Sequence, residues 1–310
     1  VSSRSAPTNA APKTGGVRFA PSPTGRFHIG NLRTAWISFR FARALNLPWV
    51  VRFEDIDEPR VLAGAQELQL ADMAALGMTP DTSLLQSTFR SRHLSLFQLA
   101  RSTGAIYPCT CSRREVQTAL SGLASASHDG VAPVYSGHCR SHLAAPVAAG
   151  LVENSGGIAW RFRMPRLDGR NDFVIARTST LDSDDGFIPA YHWACAIDDL
   201  DGGYDLIVRS LDLAPALPLQ RAIQKWLRED AAPSRAFHTS LITQDDGHRL
   251  EKRTAGVTLP ELQSAGWTRD KIWSAFGRSF DSTFLTSDRF DSDGVAHETD
   301  ANLKLSQLLR

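Results

Sequence analysis

The sequence predicts an α/β protein: a parallel sheet covered by helices, interrupted by an insertion and then resumed. Three observations carry this. Short apolar runs alternate with segments of helical periodicity over the first hundred residues, as in chains that wind helices around a parallel sheet. The stretch from Tyr107 to Pro146 breaks that rhythm and holds three of the four cysteines. Beyond it, strand-like and helix-like segments return.

Residues 1–16, rich in Ala, Ser, Pro and Thr with no apolar h-region, read as a disordered tail rather than a secretory signal. Val17 to Ala20 is a short strand-like run that Pro21-Ser22-Pro23-Thr24-Gly25 stops abruptly. From Asn31 to Leu45 the residues Leu32, Ala35, Trp36, Phe39 and Ala42 recur at helical spacing, and Asn46-Leu47-Pro48 closes the segment. Trp49 to Phe53 reads as a strand and Val61 to Leu76 as a helix with Gly77 just past its end. His93 to Ser102 reads as a helix ended by Gly104. Ile158 to Arg163 alternates as a half-buried strand does. Asp172–Arg177, Tyr191–Ile197 and Leu206–Val208 read as strands, Leu217–Leu227 as a helix, and Phe237–Thr243 as a strand. Past Pro260, Arg269 to Phe276 is a helix. A polar stretch with Asp281, Asp288, Asp291 and Asp293 then reads as mobile, before a short amphipathic C-terminus. The boundaries expected are a tail at 1–16, a first half at 17–105, an insertion at 106–171, a second half at 172–255 and a short helical region at 256–310.

Composition sets the bounds. The chain has 310 residues, 42% hydrophobic and 22% charged, the ordinary range of a globular protein. Its 34 Lys and Arg against 33 Asp and Glu give a net charge of +1. No global basic excess marks a nucleic-acid binder, although a local basic groove is compatible with that balance. The absence of a run of about 18 apolar residues argues against a membrane helix. Four cysteines, two of them as Cys109-x-Cys111, fit reduced thiols in a cytoplasmic setting better than a disulfide scaffold.

The strongest chemical signal is Phe19-Ala20-Pro21-Ser22-Pro23-Thr24-Gly25-Arg26-Phe27-His28-Ile29-Gly30-Asn31. A strand ends in a proline-stiffened loop, and a glycine-bearing turn opens a helix. Unpaired N–H groups and a partial positive charge at that helix start suit a nucleotide phosphate. His28 is placed to donate to a phosphate oxygen whose charge grows in a displacement. Gly30 leaves room for a nucleotide against the backbone, beside Asn31. Cys109-Thr110-Cys111 and, 28 residues after Cys111, Cys139 supply three thiols. With one nitrogen or oxygen donor they make a tetrahedral zinc site. Tyr135, His138 and His128 are the candidate fourth donors, and buried free thiols without metal are the alternative. Ser112 with Glu115 reads as a capping box, which puts Cys111 just before a helix. Cys195, in an apolar run, reads as core.

The thirteen-residue string resembles the HIGH region of the glutamyl-type class I aminoacyl-tRNA synthetases. Arg33-Thr34-Ala35, Val51-Arg52-Phe53-Glu54-Asp55-Ile56-Asp57 and Asp172-Phe173-Val174-Ile175-Ala176-Arg177 continue the likeness. Tyr191 with Ala196-Ile197-Asp198-Asp199, and Ile207-Val208-Arg209-Ser210-Leu211-Asp212, follow in the same order. The resemblance covers about residues 17 to 255 and implies a Rossmann-type catalytic domain with a zinc-bearing insertion. It places the second half of the ATP site at Arg249-Leu250-Glu251-Lys252-Arg253, where the family carries a mobile loop, usually Lys-Leu-Ser-Lys-Arg. Lys252 matches the lysine that follows the phosphates into the transition state. Arg249 and Glu251 depart from the pattern, and a carboxylate beside triphosphate leaves slowed chemistry open.

For the amino acid, the resemblance puts Arg18, Ala20 and Ser22 over glutamate, Glu54 at its ammonium, and Tyr191 and Arg209 around the pocket. A guanidinium grips a carboxylate bidentately and so favours glutamate over glutamine. A subgroup of the family carries Cys-x-Cys and then Tyr-x-x-x-Cys, which makes Tyr135 the fourth zinc donor ahead of His138. The chain ends about sixty residues after the Lys252 loop, too short for a helical anticodon-reading domain. Both features resemble the glutamyl-queuosine tRNA(Asp) synthetases. The implied partners are ATP with Mg2+, L-glutamate and queuosine-containing tRNA(Asp), with one structural Zn2+ per chain, no membrane, and a monomer. Trp160, Arg161 and Arg163 are candidate RNA contacts in the insertion. Other readings are a truncated glutamyl-tRNA synthetase charging an acceptor end, a cofactor adenylyltransferase of the same fold, and a non-catalytic RNA-binding paralogue.

Overall fold

The computed structural model describes residues 10–109, 111, 135, 137–142, 157–165, 172–181, 184–230, 232–247, 257–286 and 289–309. In chain order the elements begin β1 (Val17–Phe19), α1 (Ile29–Ala44), β2 (Trp49–Phe53), α2 (Ala65–Ala75), β3 (Thr82–Leu85), α3 (Arg90–Ser102) and β4 (Ile106–Cys109). Next come α4 (His138–His142), β5 (Ile158–Phe162), β6 (Phe173–Thr178), β7 (Ile188–Pro189), α5 (Tyr191–Gly202), β8 (Leu206–Ser210) and α6 (Leu217–Leu227). The series closes with β9 (Arg235–Thr239), β10 (Leu241–Thr243), α7 (Leu259–Ser264), α8 (Arg269–Arg278), β11 (Val295–His297), β12 (Asn302–Lys304) and α9 (Leu305–Leu308). Among the described residues no helix is long and apolar enough to cross a membrane.

Two compact units share the chain. One comprises Ala11–Thr88, Asp198–Leu217 and Asp230–Arg310; the other comprises Val1–Ala10, Phe89–Ile197 and Pro218–Glu229. The first is built on a six-stranded parallel sheet in the order β3-β2-β1-β8-β9-β11. That is the doubly wound order, with the inserted segment falling between its third and fourth strands. Every residue of β1 and β2 is buried, as expected of strands covered on both faces. Leu32, Trp36 and Phe41 of α1 pack on Val17, Trp49 and Phe237 in its main core.

The other unit holds the four-stranded antiparallel sheet β4-β5-β6-β7. Alternation along its strands sorts the side chains onto two faces. Ile106, Trp160, Phe162 and Ile175 join Phe97 and Trp193 in one core, while Tyr107 and Cys109 turn to a second cluster with Tyr135 and Cys139.

Several expectations change. Tyr191–Ile197 is not a strand but the start of α5; residues 193–199 are buried without a break, so the segment shows no helical stripe to read. The chain leaves the parallel-sheet unit at Thr88 and returns at Asp198, a wider excursion than 106–171. The region after 256 is not merely helical, because β11 adds the sixth strand beside β9 and β12 pairs with β10. Its polar stretch is tied down. Asp281 accepts from Thr283 N–H at 3.0 Å and pairs with Arg289 at 2.6 Å, and Asp291 Oδ1 closes a turn on the N–H groups of Asp293 and Val295. Arg33 of α1, buried, grips Glu298 with two nitrogens at 2.7 and 2.5 Å. Of the expected tail, Thr14 and Gly15 donate to Gly202 O at 3.1 and 3.0 Å; residues 1–9 and Asp288 lie outside the described residues.

Candidate active site and metal-binding cluster

The strand order reverses direction between β1 and β8, and in such sheets ligands bind beyond the carboxyl ends of the strands at that reversal. The side chains gathered there are charged and buried. Arg18 of β1 donates through Nε to Asp199 Oδ1 at 3.1 Å and through Nη2 to Asp199 Oδ2. Arg52 of β2 donates through Nη1 to the same Oδ1 at 2.7 Å and through Nη2 to Glu54 Oε1 at 3.1 Å. Asp198 accepts from Gln86 Nε2 at 2.7 Å. Burial alone would raise the Asp199 pKa, but Arg18 and then Arg52 outweigh it and hold that carboxyl below its ordinary value. One carboxylate thus fixes two guanidinium groups, and Arg18 and Glu54 are joined through Asp199 and Arg52.

Arg209, buried at the end of β8, donates through Nε to His238 Nε2 at 3.2 Å. The two are register partners across β8 and β9, and His238 pairs in turn with His297 of β11, ring centroids 4.8 Å apart. Ala20 and Ser22 are placed in the loop after β1, the first of them half-buried. Gln69 of α2 braces that loop by donating to the carbonyls of Ser22 and Gly25 at 3.1 and 2.7 Å, and Glu54 N–H donates to Pro21 O at 2.9 Å. Tyr191 opens α5 in the other unit, half-buried, with its ring 5.5 Å from that of His192.

His28 is the N-cap of α1, and its Nδ1 accepts the Gly30 N–H at 3.1 Å. Ile29 N–H donates to Val257 O at 2.8 Å, and His28 bridges Thr258 in antiparallel fashion. The helix start therefore differs from the one expected, because its first two N–H groups serve the fold. Gly30 also has a different reason. A Cβ there would stand 2.9 Å from His28 Cε1 and 3.3 Å from Ile242, so glycine makes room for the capping ring. Asn31 follows, half-buried. Lys252, with Arg249 and Glu251, lies outside the described residues.

Cys109 ends β4, Cys139 lies in α4, and the Sγ atoms of Cys109, Cys111 and Cys139 lie within 4.8 Å of one another. Zinc with sulfur ligands at about 2.3 Å sets sulfur atoms about 3.8 Å apart in a tetrahedron, so these thiols fit the ion. Tyr135 is buried beside them; Cys109 Sγ donates to its Oη at 3.8 Å, and Cys139 N–H at 2.7 Å. His138 is exposed and outside the cluster, whereas His128, Ser112 and Glu115 lie outside the described residues. The neighbouring Cys139 thiol and burial push the Cys109 thiol up, and burial does the same to Tyr135. Cys195 is core, fully buried within α5.

Over residues 16–309 the sequence matches the family described as tRNA synthetases class I (E and Q), catalytic domain. The chain belongs to that family. Relatives include the glutamyl-Q tRNA(Asp) synthetase of Nocardia farcinica, 38% identical over 277 residues, 84% of each chain. That of Deinococcus radiodurans is 34% identical over 80% of this chain and 83% of its own. A glutamate tRNA ligase from Elizabethkingia meningosepticum, crystallised in complex with its amino acid, shares the fold with a TM-score of 0.66 at 23% identity, covering 96% of this chain and 68% of that one.

In this class I synthetase several structural partners escaped the sequence reading. Asp199 and Arg52 lie within the family-like stretches 196–199 and 51–57, where spacing gives neither a role, and the only signal for Asp199 is a carboxylate pair closing an apolar run. Nothing marked His238, since its partnership with Arg209 depends on strand register. The RNA contacts expected of Trp160 and Arg161 do not fit, because both are buried; Trp160 lies in the core and Arg161 over the Tyr135 ring. Arg163 lies over the Tyr107 ring at 4.6 Å.

Proposed function

We propose that this chain activates glutamate with ATP, without requiring tRNA, and transfers it to queuosine in tRNA(Asp). In the first step the glutamate α-carboxylate attacks the α-phosphorus of ATP, a P–O bond forms, and the α–β phosphoanhydride bond breaks to release pyrophosphate. In the second, a hydroxyl of the queuosine cyclopentenediol attacks the adenylate carbonyl, loses its proton, and AMP departs. The observation that carries the first step is the bond between Ile29 N–H and Val257 O, which fastens the His28 turn to a residue five positions beyond Lys252. His28 donates from Nε2 to the phosphate chain and Lys252 neutralises charge as it develops. Arg18, whose Nε and Nη2 are occupied by Asp199, offers its remaining corner to the substrate side-chain carboxylate, together with Arg209. Ala20 and Ser22 shape the pocket, Glu54 meets the ammonium, and Gly30 and Asn31 stand beside the nucleotide.

The RNA acceptor rests on the relatives, named for glutamyl-Q tRNA(Asp) synthesis at 38% and 34% identity. Cys109, Cys111, Cys139 and Tyr135 would hold a zinc ion that braces the insertion, and the free thiols fit a cytoplasmic setting. ATP–pyrophosphate exchange with glutamate and no tRNA tests the first step, and its absence at high enzyme concentration overturns the enzyme reading. Label transfer from glutamate to tRNA(Asp) with queuosine but not to tRNA(Asp) lacking it is the expected result; equal labelling of both favours charging of the acceptor end.

A further inference from the structure

Arg161 is a buried cation, 8% exposed, for which no carboxylate side chain serves as partner among the described residues. Its Nη1 donates to the backbone carbonyl of Asp172 at 3.0 Å, and its Nε is buried without an acceptor. The carboxylate of that same Asp172 is spent elsewhere. It accepts from Arg140 Nη1 at 2.8 Å, Tyr107 Oη at 2.7 Å and Met164 N–H at 2.8 Å. An unpaired buried guanidinium is costly unless an anion comes to it.

Strand register shows where that anion belongs. Arg161 is the direct antiparallel partner of Tyr107, and Cys109 pairs with Ala159 on the same face. A register shift between Trp160 and Arg161 lies at this position, a bulge of the kind that re-aims a side chain. The guanidinium carbon sits 3.7 Å from the centre of the Tyr135 ring. It thus stands among four groups that are neutral when protonated and that would carry a net negative charge with a metal bound. Three thiols binding one Zn2+ release three protons, and the resulting three thiolates around a dication carry one net negative charge. One buried guanidinium balances that charge.

We propose that Arg161 is the built-in counter-charge of this zinc centre, a positioning residue that favours the thiolate-bound ion and holds Tyr135 as its fourth donor. The inference rests on the zinc reading above. A cation over the ring face is attracted to the π system and fixes the ring's position, so Arg161 holds the Tyr135 Oη beside the thiols as a neutral fourth donor, which keeps the net charge of the centre at one negative unit. The Asp172 node serves the same end by a different route, because it joins β4, which carries Cys109, to Arg140, next to Cys139.

The test titrates zinc into metal-stripped protein against a chromophoric chelator, and reads melting temperature with and without zinc. The wild type, R161M, R161Q, R161K and C111S are compared. The wild type is expected to take up one zinc per chain, and R161M and R161Q to bind it about 10–100-fold more weakly, with a smaller rise in melting temperature on zinc addition. R161K, which keeps the charge, recovers most of that loss. Wild-type affinity in R161M or R161Q overturns the proposal, as does a fall in melting temperature that is equal with and without zinc, the mark of lost packing alone. Two neutral variants are measured so that one failure to fold does not decide the matter. A wild type that takes up no more zinc than C111S removes the metal reading itself, a result distinct from the loss of Arg161's part in it.

Discussion

Because Nδ1 of His28 is committed to the Gly30 N–H, the neutral ring has one proton to give, on Nε2. The His28→Asn variant keeps a capping side chain and loses that proton. Pyrophosphate exchange is expected to fall about 10²–10³-fold while the glutamate KM and the urea midpoint change little. Asp199 makes the opposite kind of contribution, one of stability. The Asp199→Asn variant leaves Arg18 and Arg52 buried against a neutral amide, an expected loss of about 3–5 kcal/mol in denaturant unfolding. Its folded-state pKa lies below the unfolded one, so its contribution is present above the unfolded value of about 4 and is lost as pH falls through the folded value. The variant therefore flattens the fall in stability below about pH 4, measured by unfolding at several pH values. The resemblance pointed to Arg18 and Arg209 as candidate glutamate contacts; their structural partners, Asp199 and His238, come from other elements of the chain, which spacing cannot reveal.

Elements with a clear stripe or a bounded apolar run were legible to the residue. Trp49–Phe53 and Leu217–Leu227 coincide with β2 and α6. Tyr191–Ile197 did not, because a helix buried on every side has no polar face to set a period, and α5 therefore read as a strand. The sixth strand was missed for another reason. Val295–His297 is three residues long and buries only Ala296, too little apolar pattern to separate it from a loop. The tether between α1 and this late segment is the Arg33–Glu298 pair, with Glu298 also accepting Ser240 N–H at 2.7 Å. Glu298→Ala strands a buried guanidinium and is expected to cost about 3 kcal/mol or more in urea unfolding, with Glu298→Asp, which keeps the charge, losing less.

At the scale of the whole chain, the large hydrophobic clusters each stay within one unit: Trp36, Phe41 and Phe237 in one, Phe97, Trp160 and Trp193 in the other. Separate cores predict two calorimetric transitions rather than one, and chelating zinc should lower the transition of the unit that carries Cys109 while leaving the other in place. A single transition that shifts as a whole would count against independent cores. The α/β architecture was readable because the parallel strands β1, β2 and β8 are short, mainly apolar runs, each interrupted by a single arginine. The division into units was not, since the crossings at Thr88/Phe89 and at Ile197/Asp198, the second of them inside α5, carry no Gly- or Pro-rich linker.

That β11 closes the sheet beside β9 has a further consequence for biosynthesis. The ribosome makes Thr239 before Val295, an interval of 56 residues, or about 3–11 s at ordinary elongation rates. Throughout that time the nascent polypeptide carries a bare strand flank and an Arg33 still waiting for its acid, an opening for chaperones or for wrong pairing until the last segment emerges.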